Sequence, residues 1–206
     1  MPGQPRLAQS PDAGPATGGW DWPRTLAARG GAALQPAHLR RRPEPPQGTR
    51  LHCFVLDCSA SMAAGGALAR AKGVLLALMD EAYRRREQVA LLCFAGTRVE
   101  LRLPPRKAAA WNDDWIAPIG AGGGTPLSVA VAEAGQLLAR HGGPARACEG
   151  WLWLLTDGRT RERPARPAAA DQAAVVDFES GRVVLGRARG LAQDWGCRYM
   201  LASQWG

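Results

Sequence analysis

Four short, largely apolar runs decide most of what this chain can fold into. Leu51–Leu56, Val89–Phe94, Trp151–Thr156 and Ala173–Phe178 each have the length of a single strand and carry few polar residues. A strand with one wetted face alternates polar and apolar residues, whereas a continuous apolar run suits a strand buried on both faces. Between the runs lie segments of helical period. From Ala67 to Arg86, Leu68, Ala71, Val74, Leu75, Leu78, Met79 and Ala82 recur at three- and four-residue spacing, the pattern of a helix with one buried stripe. Arg84, Arg85 and Arg86 suit the negative pole of its dipole. Pro126 fits the first turn of another helix, running to about Arg140. Val183–Trp195 reads as a further helix and Arg198–Leu201 as a last strand. Arg98–Leu103 alternates and reads as an edge strand that Pro104-Pro105 stops. Ala108–Ile116 allows a short helix, and the Arg- and Pro-rich Arg159–Ala170 reads as a loop. The whole predicts an α/β fold: a three-layer, doubly wound, mostly parallel sheet with one antiparallel edge strand.

The residues before Arg50 differ in character. Residues 1–19 are rich in Pro, Gly, Ala and Gln and read as a disordered tail. Residues 20–49 read as an extended Pro/Arg-rich arm with a short helical stretch around Pro23–Arg29, leaving 50–206 as the folded domain. No apolar run reaches the length of about 18 residues that a membrane span needs, and no signal peptide is visible, so the expected location is the cytoplasm. The five cysteines form no CxxC pair and sit in or beside apolar runs, as buried thiols in a reducing compartment do. The formal charge is +8, almost all of it from scattered Arg, with no basic-aromatic pattern for nucleic acid. An acidic protein partner fits that distribution better.

In parallel α/β sheets, ligands bind at the carboxyl ends of the strands. Asp57, Ser59 and Ser61 follow the first apolar run directly, Thr125 closes the glycine-rich loop Gly120–Gly124, and Asp157 follows the third run. These are hard oxygen donors, suited to Mg²⁺ or Mn²⁺, and Mg²⁺ keeps positions open for a further carboxylate. Taken singly, each residue has a plainer reading. Asp57 or Ser59 serves as a turn or helix cap, and Asp157-Gly158 as an ordinary turn pair. It is their order, at three loop ends, that favours a cation. The glycine loop lacks the Lys-Ser/Thr of a phosphate-binding loop. Ser59 and Ser61 lack a nucleophile elbow, and the three histidines form no triad.

Asp57-Cys58-Ser59-Ala60-Ser61 with Thr125 and Asp157 resembles the metal-ion-dependent adhesion site of von Willebrand factor A domains. Gly122-Gly123-Gly124-Thr125-Pro126-Leu127, Leu103-Pro104-Pro105, Ala82–Leu91 and Leu155–Arg159 carry the likeness to one branch, the magnesium chelatase D subunit and its cobaltochelatase relatives. The resemblance implies that Ser59, Ser61 and Thr125 contact a Mg²⁺ or Mn²⁺ ion, and that Asp57 and Asp157 bind it directly or through water. It further implies a noncatalytic accessory subunit of an ATP-dependent chelatase, with a separate AAA+ ATPase chain and a large chelatase subunit as partners. In the alternative, the domain is a general cation-dependent binding module working with a AAA+ chaperone on another metalloenzyme. Three departures stand out. Ala60 replaces the usual Gly, the stretch from Asp157 to Val175 is short and Pro-broken where relatives carry a helix, and no AAA+ segment or acidic linker accompanies the domain.

Overall fold

A computed structural model describes residues 22–40, 50–109, 126–141, 148–180 and 184–205. The chain divides into two compact units, Met1–Pro46 and Gln47–Gly206. In the first, helix α1 (Trp22–Arg29) precedes a short 3-10 turn at Pro36–His38. The Thr25 hydroxyl accepts the Arg40 N–H at 2.9 Å and donates to the Arg40 carbonyl at 3.3 Å. The arm is thus helical over Trp22–Arg29 and not extended throughout.

In the second unit, β1 (Arg50–Asp57), helices α2 (Ala60–Ala64) and α3 (Ala67–Arg84), β2 (Gln88–Ala95) and β3 (Arg98–Lys107) come first. They are followed by α4 (Leu127–His141), β4 (Glu149–Thr156), β5 (Gln172–Asp177), α5 (Arg187–Asp194) and β6 (Arg198–Leu201). The six strands form one sheet in the order β3-β2-β1-β4-β5-β6. All neighbours are parallel except β2 and β3. The chain winds from β1 to one edge and returns to the other side of β1, which makes the β1/β4 carboxyl end the switch point where such sheets bind ligands.

Both faces of the sheet are covered, as the apolar runs require. Leu51, Cys53 and Val55 of β1 pack with Leu127, Ala130, Ala134 and Leu138 of α4 and with Leu191 of α5. Phe54 and Leu56 point the other way, into a second core with Ala71, Val74, Leu75 and Met79 of α3. Strand alternation sends successive residues to opposite faces, so a strand between two helical layers has no position left for water.

Several boundaries differ from the sequence expectation. Strand β3 continues through Pro104-Pro105 to Lys107, while its ladder with β2 breaks register between Val89 and Leu91. An edge strand tolerates proline because one of its sides needs no donor, and the irregularity absorbs the missing N–H groups. Helix α3 stops at Arg84, and Arg86 takes a left-handed φ of 56°. The last helix is only Arg187–Asp194, started at a left-handed Gly186. Residues 159–171 cross between β4 and β5 without a helix. They run close enough to α4 that a Cβ on Gly135 would lie 2.8 Å from Pro167 Cβ. The expected helix at Ala108–Ile116 falls almost wholly outside the described residues, as does the glycine loop. Among the described residues no helix is long and apolar enough to cross a membrane.

At the amino end of β1, His52 lies in a buried polar chain. Trp153 Nε1–H donates to His52 Nδ1 at 3.0 Å, and His52 Nε2 lies 2.8 Å from the Glu87 carboxylate. The indole can only donate, so Nδ1 accepts and the ring proton sits on Nε2. Burial holds the His52 pKa below its usual value, against the upward pull of Glu87 and with a smaller downward push from Arg50. A depressed histidine pKa means that the unfolded chain binds the proton first. Stability is therefore full above about pH 6.5 and falls as the pH drops below it, by at most about 1.4 kcal/mol per pH unit. Urea unfolding between pH 8 and 5 should show this loss, and His52→Gln should flatten it. An unchanged slope in the variant would show that His52 does not set it.

Candidate functional site

Three aspartates stand at the carboxyl edge, Asp57 and Asp177 as the last residues of β1 and β5 and Asp157 just after β4, and each folds its own turn. Asp57 Oδ1 accepts Ser59 N–H at 2.9 Å, Asp157 Oδ1 accepts Arg159 N–H at 3.0 Å, and Asp177 Oδ1 accepts Glu179 N–H at 2.7 Å. A short carboxylate that bonds its own backbone two residues on breaks a strand and turns the chain. Their second oxygens differ. Asp57 Oδ2 accepts the Thr156 hydroxyl at 2.6 Å. Asp177 Oδ2 accepts the Tyr199 hydroxyl at 2.7 Å. Among the described residues Asp157 Oδ2 has only Arg159 Nε, 3.8 Å away.

The register explains why these groups meet. Leu56 pairs with Leu155, which carries Asp57 alongside Thr156, and Thr156 pairs with Asp177. Thr156 Oγ1 also accepts Gly158 N–H at 3.0 Å, so one hydroxyl ties the end of β1 to the turn after β4. Gly158 needs its missing side chain. Its φ is +66°, and a Cβ there would lie 2.8 Å from the backbone nitrogen of Ala188.

Ser59 sits at the N-cap position of α2 but makes no capping hydrogen bond through its side chain. Its hydroxyl instead lies 3.1 Å from that of Ser61. The plainer reading as a helix cap therefore fails for Ser59. For Asp57 and Asp157 it holds for one oxygen each. Ala60 is the first residue of α2 and is exposed, so its methyl group meets no obstacle. Ser61 and Asp157 line the same hollow of about 240 Å³, together with Gly65, Arg159, Phe178 and Ser180. Thus Asp57, Ser59 and Ser61 form one cluster, Thr156 joins it to the end of β4, and Asp157 follows at the next position. Thr125 lies outside the described residues.

The electrostatics suit a cation. Asp57 is buried, and its pKa is raised, first by desolvation and in small part by repulsion from Asp157; hydrogen bonds from Thr156 and Ser59 oppose the rise. Among the described residues no arginine or lysine forms an ion pair with Asp57. A buried carboxylate without a counter-charge is costly, and a divalent ion would supply the missing charge. Among the described residues no three His, Cys, Asp or Glu side chains are grouped to hold a metal, so any cation held here would need the hydroxyls as donors. Such all-oxygen ligands fit Mg²⁺ or Mn²⁺.

Sequence reasoning overlooked Thr156 and Asp177. Asp177 is the one charged residue of the run Ala173–Phe178, next to its end, so a search for carboxylates near run ends would have found it. Thr156 carried no signal of its own, because its role depends on which strand lies beside β4.

The family model of the von Willebrand factor type A domain matches residues 53–159. An uncharacterised protein of Mycobacterium tuberculosis is 35% identical over 172 residues, 78% of this chain and 27% of that protein. The magnesium-chelatase 60 kDa subunit of Cereibacter sphaeroides is 37% identical over 128 residues, 61% of this chain and 22% of the subunit. The chain therefore spans about a quarter of these curated relatives. Among solved structures, a von Willebrand factor type A protein from Catenulispora acidiphila superposes with a TM-score of 0.55 at 16% identity, covering 77% of this chain and 40% of that one.

Proposed function

This chain belongs to the von Willebrand factor type A family, and from that premise we propose that it is a noncatalytic accessory subunit of an ATP-dependent metal chelatase of tetrapyrrole or cobalamin synthesis. Asp57, Ser59, Ser61 and Asp157, with Thr125, would hold a Mg²⁺ or Mn²⁺ ion. The ion supplies positive charge and an open coordination position for a partner's carboxylate. The chain's own groups hold that position in place. Thr156 fixes the Asp57 carboxylate through its 2.6 Å hydrogen bond, and the Asp157–Arg159 turn keeps Asp157 facing the hollow.

One observation carries the proposal. Among the described residues Asp57 is a buried carboxylate without a counter-cation, and it shares the carboxyl edge with two paired hydroxyls and a second carboxylate that has an oxygen to spare. Likeness to the magnesium-chelatase 60 kDa subunit directs the proposal toward chelatases. A AAA+ ATPase subunit, as a separate chain, is the expected partner. The large chelatase subunit would dock on the same assembly.

The test is co-precipitation of the chain with the AAA+ subunit of a chelatase. Binding is expected in Mg²⁺, lost in EDTA, and reduced at least about tenfold by Ser59→Ala, which removes one hard ligand. Binding that is indifferent to both EDTA and Ser59→Ala would sink the proposal.

A further inference from the structure

The hollow beside Asp157 has a mouth built from arginine. Arg159, on the turn after β4, donates through its guanidinium to the Ser180 carbonyl at 3.4 Å. Arg70, from the first turns of α3, donates to the Ser180 hydroxyl at 3.3 Å. Two guanidinium groups from separate elements thus converge on one residue that lines the hollow. On the other side of the same turn, Arg161, Arg163 and Arg187 line a second hollow of about 200 Å³.

Of the nearby acids only Asp194 pairs closely with one of these arginines among the described residues. Glu162 accepts Ser128 N–H at the start of α4, and Glu179 accepts Leu185 and Gly186 N–H ahead of α5. Asp177 is taken by Tyr199, and Asp194 by Arg163. Among the described residues Arg70 and Arg161 have no carboxylate partner, and Arg159 has only the 3.8 Å approach to Asp157. Like charges held together on an exposed rim, in a chain of formal charge +8, repel one another unless an anion bridges them.

We propose that Arg70 and Arg159 form a clamp for an acidic run in a protein partner. One carboxylate of that run would meet the cation and its neighbours would meet the guanidinium groups. The inference rests on the cation reading only for that first contact. Guanidinium forks pair with carboxylates through charge-assisted hydrogen bonds. Among the described residues the rim carries no exposed aromatic ring on which a base could stack, since Phe178 is buried, and this favours an acidic peptide over single-stranded nucleic acid. Both arginines are exposed, so changing them leaves the core intact.

The test uses the full chain and a fluorescent hexaglutamate peptide, with hexaglutamine as control and Mg²⁺ present. The wild type should bind hexaglutamate and not hexaglutamine. Arg70→Gln combined with Arg159→Gln should weaken binding at least about tenfold, the loss of one or two charge-assisted bonds. The double variant's affinity for Mn²⁺, read by electron paramagnetic resonance without peptide, should be unchanged or tighter. Wild-type binding should fall steeply with added salt. Wild-type affinity in the double variant, or no wild-type binding of hexaglutamate, overturns the clamp. Loss of Mn²⁺ binding in the double variant also overturns it, because the arginines would then belong to the ion site. Tighter binding of oligothymidylate than of hexaglutamate would replace the acidic protein with nucleic acid. If the arginine changes weaken binding while EDTA and Ser59→Ala do not, the clamp stands and the cation reading falls.

Discussion

Asp57→Asn should abolish divalent-cation binding and, in EDTA at neutral pH, make the protein more stable. Removing one member of a buried charge pair costs about 3–5 kcal/mol, so Mg²⁺ affinity should fall by at least about 100-fold. The effect on stability has the opposite sign. Burial raises the Asp57 pKa in the folded state. The folded protein therefore holds the proton at pH values where the unfolded chain has released it. Asp57's contribution is most favourable below its unfolded pKa near 3.8 and is lost as the pH rises through the raised folded value. At pH 7 the ion-free protein bears the cost of keeping an acidic group in a buried site, which Asn lacks. Asn also keeps an oxygen for Ser59 N–H, and its amide can donate to Thr156 Oγ1. Thermal melts of both proteins in EDTA and in Mg²⁺ would check this. Mg²⁺ should raise the melting temperature of the wild type alone. A variant that melts lower than wild type in EDTA would show that Asp57 is held as a structural hydrogen-bonding group, not as a charge awaiting an ion.

Gly158→Ala should destabilise the domain by about 3 kcal/mol, or roughly 6–12 °C in melting temperature. Two independent costs act there. The φ of +66° disfavours any L side chain, and the new methyl group would press on the Ala188 backbone, 2.8 Å away. Relief requires α5 to move, or the turn carrying Asp157 and Arg159 to shift, so cation binding should weaken as well. Gly73→Ala is the matched control. It lies in α3 with nothing within 4 Å of the added Cβ, and there the same change should stabilise by about 0.5–1 kcal/mol. Equal effects at the two positions would refute the steric account.

Much of the fold could be read locally. The apolar runs located β1, β2, β4 and β5 to within two residues, and the stripe Ala71, Val74, Leu75, Met79 marked α3. Both patterns arise from where neighbouring side chains of one element point. The ends of elements were harder to read. Arg86 in the left-handed region closes the end of α3, where Glu87 N–H donates to the Ala82 carbonyl, and β3 passing through Pro104-Pro105 reflects its partner strand outside the local window.

The sequence by itself determined that Asp57 and Asp157 end apolar strands with hydroxyls close by, because strand period and turn chemistry are properties of a few adjacent residues. Only the tertiary structure decided that β4 lies beside β1, so that Thr156 bonds a carboxylate 99 positions away. It also decided that Arg70 and Arg159 meet over Ser180. Strand order and register are set by burying both faces of the whole sheet at once. That is a collective outcome of distant contacts, and no local stretch of residues encodes it.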